Sequence, residues 1–559
     1  MNMEYLKLGQ IQQEMKTSPV DWADLAVKRY MNEFKYYSAV ITALAKGCGP
    51  QMDKTTAELI ANQRSNPRNK LSNYAGAYFA NEDVIGGSRV PDALLSVNTT
   101  YGESGFPTTK DKIKLGPGIS FVLPPSFYSD LLRAGANNPE LIVNYNAPNG
   151  EALTRKGIAR IINAKTNLGE PYSEFDGFLT TGATEAIDAT MAVFNMTAPG
   201  KKVVVLGPSY YAFTYSTGIR DMKVSRLINS GLLTDTDRAL NGRTRFLPTI
   251  DDLERRLPRN AGLLVLTVPN NPNGEQYSED ELRRIIRLVK KNNALILFDN
   301  VFDRLAFQKR KNLIQIAQEE DALDRLIVVE SLSKSQNLAG SRPGILATTN
   351  PDMRQGLSNM LIAGKCNPPL IYGSLFAFEG LARMVERMQT EDVNISPEKA
   401  FNVINDVNLP FDKKWFINAY AEWKKWNDEA LRFYKENAQI VRDFLVRTEN
   451  FRFGSTDEAG FNTIARLREP DLGTSSMDFL TKLLMTTAVY TQVGPCFGLS
   501  QKEWDDVLGV WARITYTTSR PELIEGLIRF AAFANTYQEK DMGNSKKFPV
   551  LPISYNYQI

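Results

Sequence analysis

Histidine is absent from the 559 residues, which excludes His-based triads, imidazole metal ligands and imidazole general bases. Any proton shuttle has to be a lysine, a carboxylate, a tyrosine or a cysteine. Cysteine is scarce as well. Cys48, Cys366 and Cys496 are odd in number and far apart, which fits reduced thiols at buried positions better than a disulfide frame or a zinc site. Long apolar runs are missing, so nothing here spans a bilayer, and MNMEYLKLGQIQQEMK has no apolar core of a secretion signal. An excess of one charge is also missing: 66 Lys and Arg are interleaved with 63 Asp and Glu for a net charge of +3. A basic surface for nucleic acid is therefore not expected. The expectation is a cytosolic protein with no metal, no nucleic acid and no membrane partner.

At this length two domains are expected. A helical segment is predicted from Val20 to Lys46, followed by Gly- and Asn-rich sequence that reads as irregular. From about Tyr128 to Thr348 short apolar runs alternate with amphipathic stretches: KVVVLGPS, GLLVLTVPNNP, ALILFDN, RLIVVESLSKS and GILATT. That alternation predicts an α/β domain with a mainly parallel sheet. Ser278 and Glu281 in SEDELRRIIRLVKKNN form a capping-box pattern at the start of one intervening helix. A long helix is predicted within 397–450, and short strands at FNTIARL and WARITYT. The domains are expected at 1–127 (an extension and part of a small domain), 128–385 (a large domain) and 386–559 (a helical insertion and the rest of the small domain).

Ligands of such sheets gather at the carboxyl ends of strands. Here those ends carry GPSYY, VPNNPNGE, FDNVFDR and SLSKS. TTGATEAIDATMAVF reads as a tight turn opening a helix, where free amides favour an anion. The segment SLSKSQNLAGSRPG, from Ser331 to Gly344, sets one lysine among hydroxyls and an arginine. Hydroxyls with a guanidinium suit a phosphate dianion, and nearby positive charge makes an amine easier to deprotonate.

This segment resembles the lysine loop of fold type I pyridoxal 5′-phosphate (PLP) enzymes, aminotransferase class I/II, the aspartate aminotransferase superfamily. The resemblance runs discontinuously from about Ile113 to Thr517. It implies an α/β fold with a mainly parallel seven-stranded sheet flanked by helices, plus a smaller α+β domain built from both chain ends. It implies that Lys334 holds PLP as a Schiff base and is the catalytic base. Ser331, Ser333, Arg342 and the turn Gly182, Ala183 and Thr184 would bind the phosphate. Tyr210 would stack on the ring, Asp299 would pair with the pyridine nitrogen, and Asn271 would bond the ring's 3-oxygen, near the substrate. Phe302 stands where most aminotransferases of the family have a tyrosine, which removes one donor to that oxygen. In IKLGPGISFVLPP, Gly118 would lie close to substrate, and Arg513 in WARITYT would grip its α-carboxylate. Tyr145 would reach the phosphate of the neighbouring subunit, which implies a homodimer with shared sites.

CNPPLIYG, from Cys366, resembles a segment that aspartate-specific members precede, four residues earlier, with an arginine for the side-chain carboxylate. The alignment places Ile362 there, so a dicarboxylic substrate is not supported unless Arg354 or Lys365 serves in a rearranged site. The expected activity is that of a PLP-dependent aminotransferase acting on an amino acid as its small-molecule substrate. The alternative is a lyase, decarboxylase or carbon–carbon bond-forming enzyme of specialised biosynthesis, with a non-catalytic binding protein as a third class.

Overall fold

The apolar runs become a sheet because they are buried on both sides. The computed structural model describes residues 5–44, 111–143, 145, 147–167, 169–229, 245–365, 370–404, 409–448, 451–453, 458–467, 476–498 and 510–538. A seven-stranded sheet is formed by β1 (Gly177–Thr181), β2 (Lys202–Leu206), β3 (Val224–Leu227), β4 (Ala261–Thr267), β5 (Leu295–Asp299), β6 (Leu326–Ser331) and β7 (Pro343–Ala347). Their order is β1-β7-β6-β5-β4-β2-β3. Only β7 runs against its neighbours. Side chains of a strand alternate between faces, and here the alternation separates two cores. Leu264, Leu266, Ile296, Phe298 and Val328 pack on one side, while Leu263, Val265, Leu297, Ile327 and Val329 pack on the other. Continuous apolar runs are the signature of a sheet covered twice.

The helices are α1 (Leu8–Glu14), α2 (Pro19–Leu44), α3 (Ala152–Asn163), α4 (Gly182–Thr197), α5 (Glu279–Lys291), α6 (Pro351–Lys365), α7 (Gly373–Glu391), α8 (Lys413–Arg447) and α9 (Arg520–Gln538). α3 packs on α7, and α4 on α6. The capping box at α5 forms as the sequence predicts: the Ser278 amide donates to Glu281 at 2.8 Å, and the Glu281 amide donates back to Ser278 Oγ at 3.3 Å. The helix predicted from Val20 to Lys46 is α2, and the long helix within 397–450 is α8. Asp412 caps α8, its carboxylate accepting from the Trp415 amide at 2.7 Å. Strands Gly177–Thr181 and Val224–Leu227 were not singled out from sequence, because GFLTT and VSRL are short and weakly apolar.

A second core joins the two ends of the chain. Trp22, Tyr30, Tyr37 and Ile41 of α2 pack with Phe433, Phe444, Leu527 and Phe530. A four-stranded antiparallel sheet lies beside it, made of β8 (Phe451–Phe453), β9 (Asn462–Leu467), β10 (Gln492–Val493) and β11 (Trp511–Thr515) in the order β10-β11-β9-β8. α8 serves both cores: Phe416, Ala419, Tyr420 and Trp423 join the seven-stranded sheet, while Trp426, Phe433, Tyr434 and Val441 join the other. Fully buried Arg520 ties the amino-terminal segment down, donating to the carbonyls of Glu14 and Thr17 at 2.9 and 3.0 Å and to Glu436 at 2.6 Å.

Beneath the end of β6, Glu330 is buried between Lys165 at 2.7 Å and Arg383, which also holds buried Glu379 at 3.1 Å. Burial opposes ionisation of Glu330, but the two cations outweigh it and hold its carboxyl at about 2. Removing Arg383 leaves two buried carboxylates short of a partner. Arg383→Met is expected to cost about 3–5 kcal/mol, measured by urea unfolding at pH 7. The deficit should shrink as pH falls below the ordinary carboxylate range, where protonation relieves the unpaired charge. A variant as stable as wild type at pH 7 would refute the assignment.

Candidate active site

Because β1, β4, β5 and β6 are parallel, their carboxyl ends reach one edge, and antiparallel β7 begins there. Gly344 lies opposite Ser331 on one side and Thr180 on the other. A side chain at Gly344 would strike the backbone of Gly182 at 2.4 Å, so glycine is what lets the lysine loop approach the start of α4. Gly182 itself has φ +73, and a Cβ there would lie 2.5 Å from Arg342 Nη2.

A cavity of about 290 Å³ opens at this edge. Of the residues singled out from sequence, Gly118, Ala183, Thr184, Tyr210, Asn271, Asp299, Phe302, Ser331, Ser333, Lys334, Arg342 and Arg513 line it. Gly182 stands directly behind Arg342. Tyr145 is outside, 84% exposed on the surface. The lining also includes Ile119, Tyr211, Tyr490, Gln492 and Phe497, which sequence reasoning did not select. Gln492 pairs directly with Arg513 across the antiparallel strands, a neighbourhood that no local motif reveals.

One end of the cavity is built for an anion. The first turn of α4 presents Ala183 and Thr184, and helix N-termini offer amides and a favourable dipole to negative charge. The Ser331 hydroxyl caps the lysine turn, accepting from the Ser333 amide at 3.1 Å and donating to the Pro343 carbonyl at 2.8 Å. Arg342, at φ +62, makes only long contacts to the carbonyls of Ala339 and Thr181, 3.4 and 3.5 Å. Among the described residues it has no carboxylate partner. Tyr210 forms the side wall, its hydroxyl 3.1 Å from Thr184 Oγ1.

At the centre, Lys334 Nζ donates to the Gly118 carbonyl. Burial, followed by the charges of Arg513 and Arg342, lowers its pKa to about 8, against the opposing pull of Asp299. Asp299 is raised to about 6, chiefly by burial. Its carboxylate accepts only from the Val301 amide at 3.2 Å and, weakly, Thr267 Oγ1 at 3.5 Å. Phe302 packs against Phe461 at 5.5 Å and brings no hydroxyl to the cavity.

At the other end, Arg513 donates to Asn271 Oδ1 at 3.0 Å and to the Gly116 carbonyl, with Phe497 beneath its guanidinium at 5.1 Å. A side chain at Gly118 would meet that guanidinium at 3.1 Å, so the glycine keeps the fork accessible. Ile362 is on the surface of α6 and does not line the cavity, while Arg354 is paired with Asp176 at 2.6 Å. The segment 366–369, Cys48 and the Lys365 and Cys496 side chains lie outside the described residues. A larger cleft of about 560 Å³ between residues 303–313 and α7 and α8 shares no residue with this cavity. Of the cations that line it, Lys165, Arg304 and Arg383 are paired with carboxylates.

Residues 110–367 match the family described as aminotransferase class I and II. Over those residues the chain is similar to this family. Similar proteins include an aspartate aminotransferase of Thermotoga maritima, 26% identical over 45% of this chain and 58% of that one. Another is a glutamate-pyruvate aminotransferase of Haemophilus influenzae, 27% identical over 42% and 52%. The chain thus spans about half the length of the curated relatives it matches. Likeness of fold extends further: an aromatic aminotransferase from Pyrococcus horikoshii superimposes with a TM-score of 0.58 at 16% identity, covering 78% of this chain and 97% of that one. The Thermotoga maritima aspartate aminotransferase structure gives 0.57 at 21% identity, covering 79% and 96%.

The class I and II family uses PLP, and the cavity fits it. A buried carboxylate with weak donors would suit a protonated ring nitrogen, an arginine with no carboxylate partner among the described residues would suit the phosphate beside a helix N-terminus, and an amine of lowered pKa lines the same cavity. No helix among the described residues is long and apolar enough to cross a membrane.

The strain at Asp299 is measurable without cofactor. A carboxyl raised from 3.8 to about 6 contributes stability that is fully present below the unfolded value and is lost as pH rises through 6. Cofactor-free Asp299→Asn should therefore match wild type at pH 4 and exceed it at pH 8 by on the order of 2 kcal/mol. Thermal or urea unfolding at both pH values checks this, and equal stability at pH 8 would refute the uncompensated carboxylate.

Proposed function

We propose that this protein is an aminotransferase that holds PLP through Lys334 and passes the amino group of an amino acid to a keto acid. The observation that supports the reading most is Lys334 itself, an amine lowered to about 8 and held by the Gly118 carbonyl midway between an anion-binding turn and an arginine fork. PLP, when bound, serves as a sink for electrons released at the substrate's α-carbon. The residues of the chain do the rest. With its pKa near neutrality, the Lys334 amine can take a proton and give it back in the pH range where a base works best. Arg513 offers two parallel N–H groups to an α-carboxylate, and so orients the bond to be broken. Because Asn271 Oδ1 accepts from Arg513, its amide nitrogen is left to donate to the ring oxygen of the cofactor. Phe302 adds no second donor. Asp299 sets negative charge against the ring nitrogen, while Arg342 with Ser333 and the start of α4 takes the phosphate.

Residues 128–385 form the larger, cofactor-holding lobe in this reading, with 1–127 and 386–559 contributing the smaller one. A homodimer follows from the same reading, with exposed Tyr145 reaching the partner subunit's phosphate site.

The deciding experiment incubates purified, PLP-loaded protein with a panel of amino acids and a keto acid acceptor, and measures both the new keto acid and the new amino acid. Paired appearance of the two is expected, and Lys334→Ala should reduce it by roughly 10²–10⁴-fold. Release of carbon dioxide or ammonia without amino transfer would replace the reading with lyase chemistry. Mixing Lys334→Ala with Tyr145→Phe subunits should restore activity in hybrid dimers, and no recovery would count against shared sites.

A further inference from the structure

The strip of backbone from Leu115 to Leu123 belongs to no long sheet, yet almost every carbonyl in it is claimed by a different part of the molecule. The Thr515 amide donates to Leu115 at 2.6 Å, Arg513 to Gly116, Lys334 to Gly118 and Thr517 Oγ1 to Ile119 at 2.9 Å. The Leu6 amide donates to Phe121 at 2.8 Å, and Trp426 Nε1 of α8 to Leu123 at 2.8 Å. The remaining link is Asn337, three residues after the lysine. Its side-chain Nδ2 lies 2.8 Å from the Val122 carbonyl, 2.9 Å from Ser120 Oγ and 3.0 Å from Tyr434 OH. Ser120 Oγ and Tyr434 OH are 2.6 Å apart.

The Val122 atom in this contact is its carbonyl oxygen, which can only accept, so the amide nitrogen must face the strip. Two N–H groups are shared among three acceptors, two of which, Ser120 Oγ and Tyr434 OH, already bond each other. Asn337 has φ +56, a left-handed conformation that asparagine tolerates better than most residues. That twist turns its side chain from the lysine loop toward the strip. Both partners of the Lys334–Gly118 contact are therefore fastened to each other a second time, through Asn337.

We propose that Asn337 is a positioning residue that locks the lysine loop to the Leu115–Leu123 strip and so fixes the Gly118 carbonyl against the Lys334 amine. For its effect on turnover, the inference rests on the aminotransferase reading above. For its effect on the lysine, it does not. The strip also carries Gly118 and Ile119 into the cavity, and Leu6 anchors its outer side. Loosening it would admit water to the amine, and burial is the leading cause of the lowered lysine pKa.

The test uses Asn337→Gly, which keeps the left-handed backbone and removes the amide, and Asn337→Asp, which keeps the size and puts acceptors against the Val122 carbonyl. In cofactor-free protein, the rate of Lys334 acylation by a small anhydride is followed against pH by mass spectrometry. In PLP-loaded protein, kcat and KM are measured. Both variants should raise the pH midpoint of Lys334 labelling by about one pH unit and lower kcat about tenfold, with melting temperatures close to wild type. Tyr434→Phe, which leaves the Val122 and Ser120 bonds in place, should shift the labelling by less. Folded Asn337 variants with a wild-type labelling profile would overturn the proposal. A shifted profile in a protein whose wild type transfers no amino group would uphold it and overturn the aminotransferase reading instead.

Discussion

Three cations and one carboxylate share a cavity of about 290 Å³, and much of the structure can be understood as the means of holding them there. Lys334, Arg342 and Arg513 repel one another, and Asp299 is too buried to offset them cheaply. Burial first, and then the charges of the two arginines, favour loss of the lysine's proton and lower its pKa to about 8. In the proposed reading, a dianion at one end and a carboxylate at the other would offset the repulsion that is left. Like charges stay adjacent only when the backbone carrying them cannot retreat. The glycines at 182 and 344, the short turn after β6 and the claimed carbonyls of the Leu115–Leu123 strip supply that rigidity.

The paired ions below the sheet show a different use of charge. Glu330, Lys165, Arg383 and Glu379 are buried and mutually satisfied, so nothing in the group solicits a ligand. The contrast lies along one strand: Glu330 is neutralised, while the adjacent Ser331 caps the lysine turn on the opposite face. Alternation along β6 thus separates a structural ion cluster from the cavity by a single residue.

Much of this was legible in the sequence, for physical reasons. The strand ends at Asp299 and Ser331 follow apolar runs that could only be buried, and the residues after them are polar where no surface loop requires that particular mixture. The helix start at Gly182 and the capping box at Ser278 are local signals that need no tertiary context. Other features could not be read locally. Gln492 enters the cavity through its pairing with Arg513 across two antiparallel strands, and Asn337 matters through Val122, 215 residues earlier. Tyr145 is exposed in the single chain, so its expected role depends on a second subunit. Phe302 was noticed as a departure from the family pattern, and its packing on Phe461 shows that the position has become part of the apolar wall.

The second core has a consequence for how the protein is made. It is closed by α2 near the amino terminus together with the second half of α8 and α9 near the carboxyl terminus. At about 5–20 residues per second, the ribosome needs roughly 20–80 s after finishing α2 to deliver the first of those partners. During that interval Trp22, Tyr30, Tyr37 and Ile41 lack Phe433, Phe444, Leu527 and Phe530, with which they pack in the finished core. The nascent chain must carry an amphipathic helix of 26 residues with its apolar face open to solvent, which makes the early chain a natural client for a holding chaperone and an aggregation hazard where translation stalls before α8.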